Sequence, residues 1–338
     1  MQSTTIGIDL AKSVFQLSVG RNATKIDQRL RLTRSQFERF LAQQPHAQLV
    51  MEACATSHHW ARLASSQGHH VTLLHPAYVR PYVKRNKTDA ADADALLKAS
   101  QDRDLKPVPV KTVDQQALQA LHRIRQQWIG TRTQRINLAR SIVAEFGIPL
   151  PRGTREITAR LEAHLETLPQ GLAASLAIVI NEIRDLKEKI SQLDKQLGEI
   201  ARRDPITQRL MTVPGIGVIT ATAMIASVPD IHRFAKGRQF SSWLGLTPRE
   251  SSSGHRQHLG SISKQGNIYL RTLLIHGARS ALLAAQRKAS AGKSLDSLEQ
   301  WAVTLKQHRH HNIVAVALAN KLARITWAVW HKEADYHV

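Results

Sequence analysis

The chain has 338 residues, 47 Lys plus Arg against 26 Asp plus Glu, a formal charge of +21 and a single cysteine. One cysteine excludes a disulfide framework and cysteine-based zinc fingers, and a 42% hydrophobic content excludes a disordered basic tail. Such a surplus of positive charge calls for a polyanion. Nucleic acid fits, because each neutralised phosphate releases a counterion, whereas no basic amphipathic helix with a Trp/Phe face argues for a membrane surface.

The start, MQSTTIGIDLAKSVF, has no basic stretch followed by a long apolar core, so no signal peptide is expected. No apolar run, GLAASLAIVI being about the longest, approaches the roughly 20 residues that span a bilayer, so a soluble, cytoplasmic protein is expected. TIGIDL (5–10) and FQLSV (15–19) read as a hairpin-like strand pair, and QLVM (48–51) and HVTLL (70–74) as short buried strands. SQFERFLAQQ and HHWARLASSQ, the second closed by Gly68, have helical patterns. Strands alternating with helices predict an α/β region, a sheet covered by helices.

From Thr112 to Gly147 the pattern is helical, and one face runs Leu121, Ile124, Trp128 and then Arg132 and Arg135. An apolar stripe turning basic suits a core helix whose far end meets phosphate; a solvated arginine face has the same pattern. After IPLPRG, an a/d seam runs through Leu176, Val179, Ile183, Leu186, Ile190, Leu193, Leu197 and Ile200, ending before Pro205. It predicts a coiled-coil arm and self-association through it, although an intramolecular helical hairpin would use the same spacing. From Ile206 onward the chain reads as helical, interrupted by one polar loop at 247–260, and VAVALANKLARITWAVW must be a buried helix. The expected division is 1–150, 151–205 and 206–338.

Four carboxylates fall in unusual places. Asp9 ends one β-run and Glu52 another, while Asp89 and Asp92 share a helix face behind a Thr88 N-cap. Acidic strand ends plus an acidic helical pair are how a ribonuclease-H-like sheet holds two divalent metals. At about 4 Å and an effective dielectric near 20, each carboxylate pair repels by about 4 kcal/mol, so such a cluster needs Mg2+ or a shifted proton. Helix-start preference and turn capping account for the same residues without chemistry; Asp94 reads as a surface residue.

Val213-Pro214-Gly215-Ile216-Gly217 has the form of a helix-hairpin-helix turn, where Gly215 and Gly217 let backbone N–H groups approach a phosphate. An ordinary helix–helix turn is the alternative. Ser251, Ser252 and Ser253, with Arg249, Lys264 and Arg271 nearby, are ordinary loop material or a serine nucleophile beside phosphate-holding cations. The histidine runs at 58–59, 69–70 and 308–311 lack the i,i+4 spacing of helical metal ligands, and Cys54 reads as a small buried side chain.

Taken together, GIDLAK, MEACATSHHWAR, RNKTDAADADAL, VPGIG, QFSSWLGLTPRESSSG, SKQGNIYLRTLLIHGAR and VALANKLARI run in order from residue 6 to about 325. In this the chain resembles the DEDD transposases of insertion-sequence family 110, subgroup 1111. The resemblance implies an N-terminal RuvC-like domain, a coiled-coil region and a mainly helical C-terminal transposase domain. It implies Mg2+ at Asp9, Glu52, Asp89 and Asp92, and a serine that becomes covalently joined to DNA. Ser253, just before a glycine and five residues after Pro248, matches that motif best, with Ser251 and Ser252 adjoining. It also implies donor and target DNA, a structured non-coding guide RNA, and a homo-oligomer, dimer or tetramer, in which acidic and serine sites of different subunits meet. Arg249, Lys264 and Arg271 are the expected phosphate-holding residues.

The expectation is therefore a DNA recombinase working through a serine–phosphodiester intermediate in the cytoplasm, beside the nucleoid. The rivals are a metal-dependent junction endonuclease without serine chemistry and a non-catalytic nucleic-acid-binding protein. A site-specific invertase similar to the pilin-gene invertases would share the serine chemistry.

Overall fold

A computed structural model describes residues 4–21, 25–83, 88–151, 153, 156–254 and 256–337. The RNK of RNKTDAADADAL (85–87) lies outside the described residues. The chain divides into two compact units, Met1–Val113 and Asp114–Val338.

In the first unit, β1 (Thr5–Asp9) and β2 (Val14–Gly20) form the expected antiparallel pair. Strand β3 (Gln28–Thr33) adds antiparallel to β2 and leads into α1 (Arg34–Gln43), which Thr33 and Gln36 start with a capping box. β4 (Gln48–Glu52) lies parallel to β1; after α2 (Ser57–Ser66), β5 (His70–Leu74) lies parallel to β4. The order across the sheet is β3-β2-β1-β4-β5. β3 was not expected from sequence: Arg29 and Arg31 alternate with only two leucines. Charges on an edge strand deter pairing with another chain.

The period-2 pleat divides the sheet residues between two cores. Ile6, Ile8, Phe15, Leu17, Leu49 and Met51 pack with Phe37, Leu41 and Trp60 on one face. Phe15, Phe37 and Trp60 meet edge-on with ring centroids 5.0–5.1 Å apart, each pair adding about 0.5–1.5 kcal/mol beyond area burial. The other face carries Gly7 and Val50. There, after the short helix α3 (Pro76–Val79), lies α4 (Asp89–Ala99), whose Ala95, Leu96 and Ala99 pack on Val50 and Leu74. Thr88 caps α4 as expected, its hydroxyl accepting from the Ala91 N–H at 3.2 Å.

The second unit is mostly helical. It starts with α5 (Val113–Glu145), α6 (Ile157–Glu162) and α7 (Gln170–Arg203), and α5 and α7 pack antiparallel within the chain. Ile136, Ala139 and Val143 join Leu176, Ile180 and Ile183 at one end, Leu118 joins Leu197 at the other, and Arg125–Asp194 and Arg135–Glu182 ion pairs lie between. The seam of α7 thus faces α5. Ile180 and Ala201 are buried where a strict heptad places Val179 and Ile200, the drift of 3.6 against 3.5 residues per turn.

α8 (Pro205–Leu210), α9 (Val218–Ser227) and α10 (Gly237–Trp243) follow, then β6 (Pro248–Glu250), β7 (Leu259–Ile262), α11 (Ile268–Ser290), α12 (Ser297–His308) and α13 (His311–His331). The segment expected to be a polar loop is an antiparallel β6–β7 hairpin. Backbone pairing, which needs no apolar side chains, orders it. α13 corrects the expectation that no segment is long and apolar enough to span a bilayer: its 21 residues are so by length and composition, and half of its apolar stretch is buried. Leu318, Leu322 and Val329 pack it into the core with Leu270, Leu274 and Phe240.

Candidate nucleic-acid and catalytic site

Asp9 and Glu52 end the neighbouring parallel strands β1 and β4, where Ile8 pairs with Met51. Both are half-buried, and both are engaged in contacts. Their charges are felt by Cys54: burial first, then Glu52 and Asp9, push its thiol above the usual value. Gly7 brings α4 onto β1, since a Cβ there would lie 2.3 Å from the Ala93 carbonyl oxygen. That close approach holds the helix bearing Asp89 and Asp92 over the strand that bears Asp9. Among the described residues, no group of three or more His, Cys, Asp or Glu is gathered closely enough to hold a metal ion. The quartet of Asp9, Glu52, Asp89 and Asp92 is not gathered around one point.

Asp94, read from sequence as a surface residue, is a structural tie with its side chain 20% exposed. It accepts from Ser18 Oγ at 2.6 Å and pairs with Arg29 at 2.9 Å. Burial alone would raise its pKa, but the hydrogen bonds from Arg29 and Ser18 hold it below the usual range.

The serine segment continues the β6–β7 ladder outward. Ser251 N–H donates to the His258 carbonyl at 3.0 Å, and Ser253 and Arg256 exchange backbone bonds of 3.3 and 3.1 Å. Gly254, at φ +58°, turns the chain. Ser253 therefore sits at the exposed tip, its backbone paired across the turn with that of Arg256, a nearby cation that sequence reasoning missed. Ser252's hydroxyl donates to Glu250 at 2.9 Å and accepts from the His258 N–H at 3.2 Å. No partner for the hydroxyl of Ser251 or Ser253 occurs among the described residues.

Arg249 is exposed, its guanidinium 3.3 Å from the Ser263 carbonyl, and Lys264 is exposed at φ +56°. Arg271 differs from expectation: it is 7% exposed, and its Nη1 donates to the Leu244 and Gln265 carbonyls at 3.0 and 2.8 Å. Its guanidinium braces the loops at the hairpin's base rather than offering a free fork to phosphate. Gly245 belongs to the same brace, since a Cβ there would meet the Gln265 oxygen at 2.1 Å.

Gly215 also faces protein: at φ +79°, a Cβ would lie 2.5 Å from the Gly277 carbonyl oxygen on α11. Its smallness serves helix packing, whereas Gly217, at the start of α9, has open space around it. On α5, Arg135 pairs with Glu182 while remaining 39% exposed, and Arg132 is half-buried. Nearby, sequence reasoning also missed His122, which is 3% exposed between Tyr269 Oη at 3.1 Å and Thr222 Oγ1 at 3.0 Å. Burial, then the Arg125 charge, lowers its pKa to about 4.

An N-terminal mixed sheet followed by a mostly helical unit is consistent with a DEDD-type transposase. A DEDD transposase model of the IS110 type matches residues 6–148, and one described as "Transposase IS116/IS110/IS902 family" matches residues 207–293. The chain is 42% identical to a Pseudomonas aeruginosa protein named "Probable family 20 transposase", over 99% of both chains. It is 37% identical to the Coxiella burnetii transposase for insertion sequence element IS1111A, over 98% of this chain and 90% of the relative. It is also 37% identical to the Yersinia enterocolitica transposase for IS1328, over 96% of both. The chain belongs to the IS110 family of insertion-sequence transposases, enzymes that act on DNA.

Proposed function

We propose that this transposase cuts and rejoins DNA through a covalent serine–DNA intermediate, with Ser253 as nucleophile and Mg2+ at Asp9, Glu52, Asp89 and Asp92. The placement of Ser253 at an exposed hairpin tip, with Arg256 paired to it, carries this reading. A hydroxyl on a projecting tip can meet a phosphodiester that a buried serine cannot.

In the attack, Ser253 Oγ bonds to phosphorus as the bond from phosphorus to one sugar oxygen breaks. Oγ gives up its proton, and the released sugar oxygen takes one up. Bond energy stays in the serine ester, so a sugar hydroxyl of a new partner strand reverses the step. Arg249, Arg256 and Lys264 offset the phosphate charge. Mg2+, if held by Asp9, Glu52, Asp89 and Asp92, would supply further charge to the reacting phosphate.

The strand order β3-β2-β1-β4-β5 supports a RuvC-like (ribonuclease-H-like) role for 1–150. In this reading 151–205 is the coiled-coil linker, and 206–338 is the transposase domain with its helix-hairpin-helix-like turn. A structured guide RNA and a dimer or tetramer complete it, and a charge of +21 suits a protein that binds several nucleic-acid strands. The packing of α5 on the α7 seam within the chain favours association of copies through other surfaces.

The test is a denaturing gel of end-labelled element-junction DNA with protein, co-expressed RNA and Mg2+. A protein-linked band is expected for wild type and absent for Ser253→Ala, for Asp9→Ala and with EDTA. Cleavage that persists in Ser253→Ala without a covalent band overturns the serine mechanism in favour of a metal-dependent nuclease.

A further inference from the structure

The helical unit carries an open groove of about 1180 Å³, larger than the roughly 300–1,000 Å³ of small-molecule sites. One side is the serine hairpin itself, through Pro248 and the Gly260–Ile262 stretch; the other is α13. Leu246, Ile262, Val316, Ala317 and Ile325 make the lining apolar, and Trp301 and Trp327 add aromatic surface. The indole N–H of Trp327 donates to the Phe234 carbonyl at 2.9 Å, which fixes that ring. Gly237 lets α10 reach the α13 backbone, since a Cβ there would lie 3.2 Å from Arg324 Cα. Four cations line it, Lys236, Arg238, Lys321 and Arg324, and none of its lining residues is Asp or Glu. Lys321 Nζ lies 4.3 Å from the Trp301 ring centroid, so the cation sits against one aromatic face.

We propose that this groove binds single-stranded DNA, taking unpaired bases of the strand that runs to the serine hairpin. The inference rests on DNA being handled at that hairpin. An apolar floor with aromatic faces wants flat, weakly hydrated surfaces, and a cationic rim without carboxylates wants phosphate. Duplex DNA satisfies only the rim, because its base faces are stacked inside. A helix from a protein partner satisfies only the floor. An unpaired strand offers both, through base stacking and backbone charge. The base of the hairpin that carries Ser253 forms one side of the groove, so bases held there would steady the strand that runs on to Ser253.

Fluorescence anisotropy with labelled single-stranded DNA, single-stranded RNA and duplex DNA of equal length tests it on the full chain. Arg238→Ala/Arg324→Ala is expected to weaken single-stranded DNA at least about tenfold and to lower the salt slope by about two contacts. Its effect on duplex should stay within about twofold. Ala317→Trp fills the floor without changing charge and should also weaken single-stranded DNA selectively; the surface arginine pair serves if the tryptophan variant does not fold. Unchanged single-strand affinity overturns the proposal. So does an equal loss on duplex, or a loss confined to RNA, which assigns the groove to duplex or to the guide. Ser253→Ala should bind single-stranded DNA like wild type, so failure of the serine chemistry is read separately from failure of the groove.

Discussion

His122 shows how one buried side chain makes stability depend on pH. Folded, its pKa is lowered to about 4 by burial and by Arg125; unfolded, it returns to about 6.5. Below about pH 6.5 the unfolded chain gains a proton that the folded chain refuses. His122's contribution is therefore complete above that pH and lost as pH falls towards 4. His58, lowered to about 4 by burial, Lys111 and Arg62, acts over the same window. Thermal melts between pH 7.5 and 4.5 should show falling stability, His122 accounting for about 2–3 kcal/mol of it. His122→Asn should flatten the profile while lowering stability at pH 7; an unchanged slope contradicts the assignment. Cys54, the sole cysteine, reports on the acidic strand ends. Glu52→Gln removes a charge that raises its thiol pKa, so alkylation by iodoacetamide at pH 8 should speed up severalfold. An unchanged rate would separate Glu52 from that pocket.

At the scale of elements, backbone contacts through glycine do much of the positioning. Gly277 and Gly215 face each other, and a Cβ on Gly277 would come within 2.1 Å of the Gly215 oxygen. Gly277→Ala should cost about 1–3 kcal/mol, the usual range for overpacking, measured as a drop in denaturation midpoint. Gly7→Ala should displace α4 from β1 and, if α4 positions the acidic pair, reduce strand cleavage even where the variant stays folded. Activity equal to wild type in a folded Gly7→Ala would remove α4 placement from the mechanism. The α5–α7 pairing makes a similar prediction: Leu197→Ala empties a fully buried position and should cost about 2–5 kcal/mol, seen by urea unfolding.

For the whole molecule, a charge of +21 predicts that duplex binding is strongly salt-dependent, with log affinity falling linearly in log salt. A shallow slope in titrations across added KCl would mean that few phosphates are met. Much of the architecture was legible from local patterns. The strands at 5–9, 14–20, 48–52 and 70–74, the two long helices and the Thr88 cap all rest on neighbours two to four residues apart, which sequence periodicity records directly. The motifs also led to the family. What those patterns could not supply was partnership across distance. The seam on α7 announced an apolar face, but only packing chose α5 to cover it. Arg271 looked like a free cation until the fold buried it against two carbonyls. His122 meets Thr222 and Tyr269 across separations of 100 and 147 residues, with no local signal for either contact. The cationic groove, drawn from α10, the serine hairpin, α12 and α13, likewise exists only once those elements pack. Local periodicity settles what each segment is, because backbone geometry repeats within a few residues. What each segment faces is decided by the tertiary structure, because burial and charge pairing depend on which distant surfaces fill the same space.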